Sequence, residues 1–320
     1  MSQPNIAAEK LRLGRDITLE ARCYIGSLPG PARRVVVGDN VFIGNDVRIL
    51  APEIYIGDYT VIHNHATIYG TSPVRIGDCC WIGQNALLNC TAPAWVGDGV
   101  TIAPYSNLWT HFRAGDIAQG CRFDSAKALV VGDDAWIGVQ CTIAPVVIGS
   151  RALVLAGSVV THDLEENHVY GGNPAQDLTA KMGPQFEETL LEEKFEVMKG
   201  KLIEFEVDWR DKQVQYRVDA GPSDIFAGAL ASTPPDPRFG GDDKGDFYAA
   251  GIVISRNPWR KSDVSVFSVA DRTYSKLRTP QEMAFMRFLL PQIKFYPHER
   301  RELEDLRARF ASLIPGVENL

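Results

Sequence analysis

The amino-acid sequence predicts an all-β parallel β-helix followed by a C-terminal α+β domain. Three observations predict it. The first is a recurring phrase of an aliphatic residue, Gly and usually Asp: LGRD from Leu13, VGDN from Val37, IGDY from Ile56, IGDC from Ile76, VGDG from Val96, VGDD from Val131 and IGSR from Ile148. The second is a finer period of about six inside each interval. Val37, Val41, Ile43, Val47 and Ile49 show it, as do Ile76, Cys80, Ile82 and Ala86, and Val131, Ala135, Ile137, Cys141 and Ile143. A helix repeats at about 3.6 and a lone half-buried strand at 2, so neither explains this beat. Three hexads make one triangular coil of about eighteen residues with its first-position side chains stacked inside. Glycine follows where a side chain would clash with the turning chain. The third observation is that the beat stops near Thr161 and a different pattern begins at Gln185.

The β-helix is assigned to residues 1–178 and the second domain to 185–320, a division that 320 residues accommodate. In the second domain, QFEETLLEEKFEVMKGKLIEFEVDW from Gln185 reads as a helix with Phe186, Leu190, Phe195 and Leu202 on one face. A Gly/Pro/Asp-rich stretch follows from Gly221 to Asp246, then the strand-like runs AAGIVIS and VSVFSV. Thr279-Pro280-Gln281-Glu282 reads as a helix start with Pro in the first turn. The domain is rich in aromatic residues, which fill its core or stack on a sugar acceptor or partner.

Composition narrows the function. A net charge of −7 argues against a nucleic-acid partner, which needs a basic patch. The six cysteines, Cys23, Cys79, Cys80, Cys90, Cys121 and Cys141, show no CxxC spacing. They fall mostly where small apolar side chains belong, so they read as buried reduced thiols. MSQPNIAAEK lacks a basic-then-apolar leader, and Gln140 and Arg151 interrupt the apolar run Ala135–Val160. The expectation is a cytoplasmic protein with no membrane span.

One interval breaks time. From Val96 to Val131 is 131 − 96 = 35 residues, where one coil needs about eighteen. The surplus predicts a loop protruding from the wall at 110–128. His111 stands at its root, after Leu108, Trp109 and Thr110, where position is best fixed. Histidine titrates near neutrality, as a general base requires, and loops on rigid scaffolds commonly carry chemistry. A surface histidine with no such role fits the same pattern.

Residues 35–178 then resemble the hexapeptide acyltransferases, whose fold is a left-handed parallel β-helix, and within them the galactoside, maltose and xenobiotic O-acetyltransferases. The motifs that carry the resemblance are His111 at the start of an extended loop and Gly132-Asp133-Asp134-Ala135-Trp136-Ile137-Gly138. Ala156 to Asp163 (AGSVVTHD) and Gly172-Asn173-Pro174-Ala175 follow in order. The resemblance implies acetyl-CoA as acyl donor, no metal, a homotrimer with CoA between adjacent β-helices, and His111 as general base. It implies direct transfer without an acyl-enzyme, with a backbone N–H meeting the oxyanion. Trp136, Gly138, Ala156, Gly157, Thr161 and His162 would line the CoA arm. Asn89, in IGQNALLN, would contact a sugar or polysaccharide hydroxyl, or else satisfy turn backbone. His63 and His65 are read as acceptor contacts or as polar residues on the coil surface. The chain departs from the pattern at His162, where Lys is common, and at Gln176, where Lys or Arg commonly follows Pro-Ala. Those cations commonly meet CoA phosphates.

Three other readings stay open. An N-acetyltransferase acting on a nucleotide-linked amino sugar shares the coils and the base. A γ-class carbonic anhydrase-like metalloenzyme would need His63, Asn64, His65 and the distant His111, and its expected His-x4-His pair is absent. A non-catalytic β-helix scaffold would leave the CoA-side phrases unexplained.

Overall fold

A computed structural model of the chain describes residues 5–113, 115–122, 124–219, 240–241, 246–258, 263–290, 292–298 and 301–314. The chain divides into two compact units, residues 1–187 with 302–320, and residues 188–301.

The first unit is a parallel β-helix with three walls of seven, nine and seven strands. The first wall runs through Leu11–Leu13, Arg34–Val37, Glu53–Ile56, Val74–Ile76, Ala94–Val96, Leu129–Val131 and Val147–Ile148. Val35 pairs with Ile54, Ile54 with Val74 and Val74 with Ala94, steps of 19, 20 and 20 residues. The coil is therefore slightly longer than three hexads before the break. After it, Val130 pairs with Val147, a step of 17. Part of the difference sits at the corner before the first wall, where Ser72 Oγ donates to Thr91 O at 2.8 Å.

The hexads behave as the sequence predicts. Val37, Val41, Ile43, Val47 and Ile49 are all buried, as are Cys80, Ala86, Ala135 and Cys141. Corner residues such as Asn40, His65 and Asn85 take left-handed φ of 55°, 62° and 57°, a conformation that short polar side chains tolerate best. The Gly-Asp phrase has a second cause beyond the turn. Asp58 Oδ1 accepts from Asp39 N at 2.8 Å, Asp78 Oδ1 from Asp58 N at 2.7 Å, Asp98 Oδ1 from Asp78 N at 2.9 Å and Asp133 Oδ1 from Asp98 N at 2.7 Å. The ladder ends where Ser150 Oγ accepts from Asp133 N at 3.1 Å. A Cβ on Gly38 would lie 2.5 Å from Asp58 Oδ1. The glycine is required by the carboxylate of the next coil. Burial first, then the Asp98 charge, raises the Asp133 pKa. Arg75 offsets this by pairing with Asp98 at 2.6 Å.

All six cysteines are free and five are buried. Burial pushes the Cys90 thiol up to about 12. Among the described residues, no helix is long and apolar enough to cross a membrane.

The second unit is α+β. Its six-stranded mixed sheet orders Gly240–Gly241, Phe247–Ala249, Ile252–Ser255, Ser265–Ser268, Thr273–Tyr274 and Tyr296–Pro297. Both strand-like runs thus form strands. Thr279 caps helix Pro280–Leu289 by accepting from Glu282 N, as the sequence predicts. The long helix starts later than expected, at Leu191, and runs to Asp219. Phe195, Met198, Leu202 and Phe205 are buried on its inner face, whereas Phe186 and Leu190 precede it and are exposed. Most of Gly221–Asp246 lies outside the described residues.

The domain boundary at 185–320 needs a correction. The C-terminal helix Arg301–Ala311 packs on the β-helix, because Phe310 and Ile314 bury against Tyr55, Trp95 and Val130 on the outside of the first wall. Arg309 is bonded to the buried carboxylate of Glu53, which also accepts from Tyr55 Oη at 3.1 Å.

Candidate active site

The interruption is a β-hairpin with a defined root. His111–Arg113 pairs antiparallel with Asp124–Ala126, with His111 opposite Ala126. A 3-10 turn, Ile117–Gln119, is capped by Asp116, and Gly120 ends it at φ 86°. Trp109 N donates to Ile143 O at 2.9 Å and Lys127 N to Thr110 O at 2.9 Å, so both ends are tied to the wall. His111 is half-buried, while Phe112 beside it is exposed.

Asn89 is fully buried behind this root. Its Oδ1 accepts from Thr91 N at 3.0 Å and from the Thr110 hydroxyl at 2.7 Å, and lies 2.9 Å from His111 Nδ1. The Thr91 N–H can only donate, which fixes the amide with its oxygen towards the histidine. An amide oxygen only accepts, so in the neutral imidazole Nδ1 carries the proton and Nε2 the lone pair. Trp109 meets the imidazole edge-on, ring centres 5.9 Å apart. A neutral imidazole held at one nitrogen and open at the other can accept a proton. Nothing in the string IGQNALLN discloses this pairing across 22 residues.

His63 and His65 lie elsewhere on the prism. They turn the corner between strands Val61–Ile62 and Thr67–Tyr69, which belong to the second and third walls, whereas Asn89 and His111 stand where the third wall leads into the first. His63 packs between Phe42 and Trp81, with ring centres 6.2 and 4.8 Å away, and its burial lowers its pKa. His65 Nδ1 is 3.8 Å from Asp46 Oδ2. Within one chain these histidines do not converge with His111. Among the described residues, no three His, Cys, Asp or Glu side chains are grouped as metal ligands would be.

The residues expected to line CoA fall into two sets. Trp136, half exposed at 50%, stands on the outside of the second wall, with Gly138, Ala156 and Gly157 at the following corner. Gly138 N donates to Val154 O at 2.8 Å, and a Cβ there would lie 2.7 Å from Ala156 N. The small residue at Gly138 is thus a packing requirement of the coils. Thr161 and His162 stand at the edge that carries His111. Leu108 pairs with Ile143 and Ile143 with Val160, which puts them two coils along, about 10 Å at ordinary strand spacing. His162 meets Tyr170 edge-on at 6.3 Å, and Gln176 Nε2 donates to Ala175 O at 3.1 Å.

The chain is similar to several known proteins. Residues 73–103 and 128–162 match the hexapeptide repeat of succinyl-transferase. A protein of Saccharomyces cerevisiae named as an acetyltransferase, YJL218W, is 34% identical over 110 residues, covering 34% of this chain and 56% of that protein. The chloramphenicol acetyltransferase of Klebsiella aerogenes is 35% identical over 71 residues, 22% of this chain and 34% of that one. The chain thus spans about half the length of the first relative and a third of the second. A variant of AntD, an N-acyltransferase from Bacillus cereus in complex with dTDP and coenzyme A, superposes with a TM-score of 0.40 at 18% identity, over 60% of this chain and 91% of that one. The matched repeats and the three walls fit a left-handed β-helix, and the chain is similar in sequence to acetyltransferases that carry hexapeptide repeats.

Proposed function

We propose that the protein transfers an acetyl group from acetyl-CoA to a sugar or polysaccharide hydroxyl, as a cytoplasmic homotrimer. The 2.9 Å contact between His111 Nδ1 and Asn89 Oδ1 carries the reading, because it presents Nε2 as a base. His111 Nε2 takes the acceptor hydroxyl proton while that oxygen attacks the thioester carbonyl. The C–O bond forms, the tetrahedral oxyanion collapses, the C–S bond breaks, and the imidazolium returns the proton to the CoA thiolate. A backbone N–H at the coil edge meets the oxyanion. Trp136, Gly138, Ala156, Gly157, Thr161 and His162 hold the donor between adjacent copies. Asn89 positions His111 from behind, since its full burial keeps it from the acceptor. No cysteine takes part, and the Cys90 thiol stays protonated at neutral pH.

The test is His111→Ala assayed against a panel of saccharides by mass spectrometry, with acetyl-CoA binding followed by calorimetry. Turnover is expected to fall about a hundredfold or more, with donor binding kept. Near-normal turnover in a folded variant refutes the mechanism. An N-acetyl product from a nucleotide-linked amino sugar would move the acceptor to an amine while leaving His111 its role.

A further inference from the structure

The C-terminal helix sits on the two strands that the catalytic insertion separates. Ala94–Val96 enters the interrupted coil and Leu129–Val131 leaves it, paired in register with Trp95 opposite Val130. Phe310 is fully buried against both, its ring edge-on to Trp95 at 5.2 Å and to Tyr55 at 6.2 Å. Ala128, the residue before the second strand, packs into the same cluster. Arg75 covers Trp95, its guanidinium carbon 4.3 Å from the ring centre.

Those strands run directly into the His111 root. Two residues before Ala94, Ala92 N donates to Thr110 Oγ1 at 3.1 Å, and Thr110 Oγ1 donates to Asn89 Oδ1. Lys127, two residues before Leu129, donates its N–H to Thr110 O, and Leu129 N donates to Pro93 O at 3.1 Å. The β-helix interior is complete without this helix, since Ile43, Ile82 and Ile137 are buried inside the walls. What the insertion creates is a pair of strands joined through a long excursion, where closing the chain costs more entropy than in an uninterrupted coil.

We propose that the C-terminal helix Arg301–Ala311 is a positioning element for the His111 site, with Phe310 the positioning residue that holds the two strands in register. The helix acts through the hairpin root and touches neither donor nor acceptor. As it concerns transfer, the proposal rests on the function assigned to His111.

The test compares Phe310→Ala and Phe310→Leu with the parent chain by steady-state kinetics and by amide hydrogen exchange. In Phe310→Ala, kcat falls about ten- to a hundredfold, as expected for slight misplacement of a reacting group, while KM for acetyl-CoA stays near the parent's. Exchange at Ala92 and Lys127 speeds up, and exchange across Tyr24–Gly26 and Arg48–Leu50 does not. Leucine restores part of both. An unchanged kcat, or exchange that quickens equally in every coil, overturns the proposal. If the alanine variant does not fold, Phe310→Leu decides, and parent-like exchange at Ala92 and Lys127 overturns it. A parent chain with no transferase activity would refute the assigned function, and the exchange comparison would still decide the role of Phe310.

Discussion

Replacing Asn89 with Ala separates holding the histidine from being the histidine. The side chain is fully buried, and its single oxygen accepts from Thr91 N–H, the Thr110 hydroxyl and His111 Nδ1. Truncation strands two donors, the part-buried Thr91 N–H and the buried Thr110 Oγ1–H, at up to about 1–3 kcal/mol each, so at most roughly 2–6 kcal/mol of stability is lost. With about 2–4 °C per kcal/mol for a unit of this size, Tm drops by at most roughly 5–20 °C and the chain stays folded at room temperature. The imidazole keeps its base atom but loses its tether, so kcat falls about a hundredfold while KM for acetyl-CoA holds. Nitrogen-15 spectra of the histidine side chains provide a readout independent of turnover. In the parent, His111 is the Nδ1–H tautomer when neutral, and in Asn89→Ala it becomes a mixture. A folded variant with kcat within about threefold of the parent would falsify the positioning role, and so would a parent His111 protonated at Nε2.

Ile137→Asp places an unpaired carboxylate in the fully buried coil interior, and no stable soluble protein is expected by size-exclusion chromatography. Asp133→Asn tests the ladder through its pH dependence. The folded pKa of Asp133 is raised, so its contribution is most favourable below the ordinary carboxyl range and is lost as pH rises through the folded value. The asparagine keeps an oxygen for Asp98 N–H without the charge, so Tm by calorimetry should exceed the parent's at pH 7, and the gap should close in acid. A gap that widens on acidification contradicts the assigned direction. A chain ended at Gly183 loses Phe310 and uncovers Tyr55 and Trp95. It is expected to keep the β-helix circular dichroism but melt at a lower temperature, and an unchanged Tm would show that the helix adds nothing to the wall.

Much of this was legible in the sequence because repeat packing is local. Val37 to Ile49 announce their inward register by spacing alone, and the 35-residue gap announces an insertion with His111 at its root. Pairings between distant residues were not legible. The resemblance implied that Asn89 contacts the acceptor or else satisfies turn backbone, and only its contacts with Thr91 and, in the next coil, Thr110 and His111 reveal that it is buried behind the histidine. The beginning of the long helix was misread because Phe186 and Leu190 continue the apolar period although the chain there is not helical. Leu306, Phe310 and Ile314 stand four apart, a signal of a docked helical face, but spacing names no partner. The wall they cover carries Tyr55, Arg75 and Trp95 in register, large side chains on an outer surface.

The aspartate ladder gives the β-helix a direction of assembly. Each coil brings the acceptor for an amide of the coil before it, so a coil is finished only when its successor arrives. Gly38, Gly57, Gly77 and Gly97 make the same demand in reverse, since each leaves room for the carboxylate of the next turn. The stack therefore grows like a zipper whose teeth point one way. Ser150 is its stop, a hydroxyl in place of the carboxylate, where no further charge enters the column. A coil copied from the middle of the stack would carry its own tooth and its own gap, and the column would close around it.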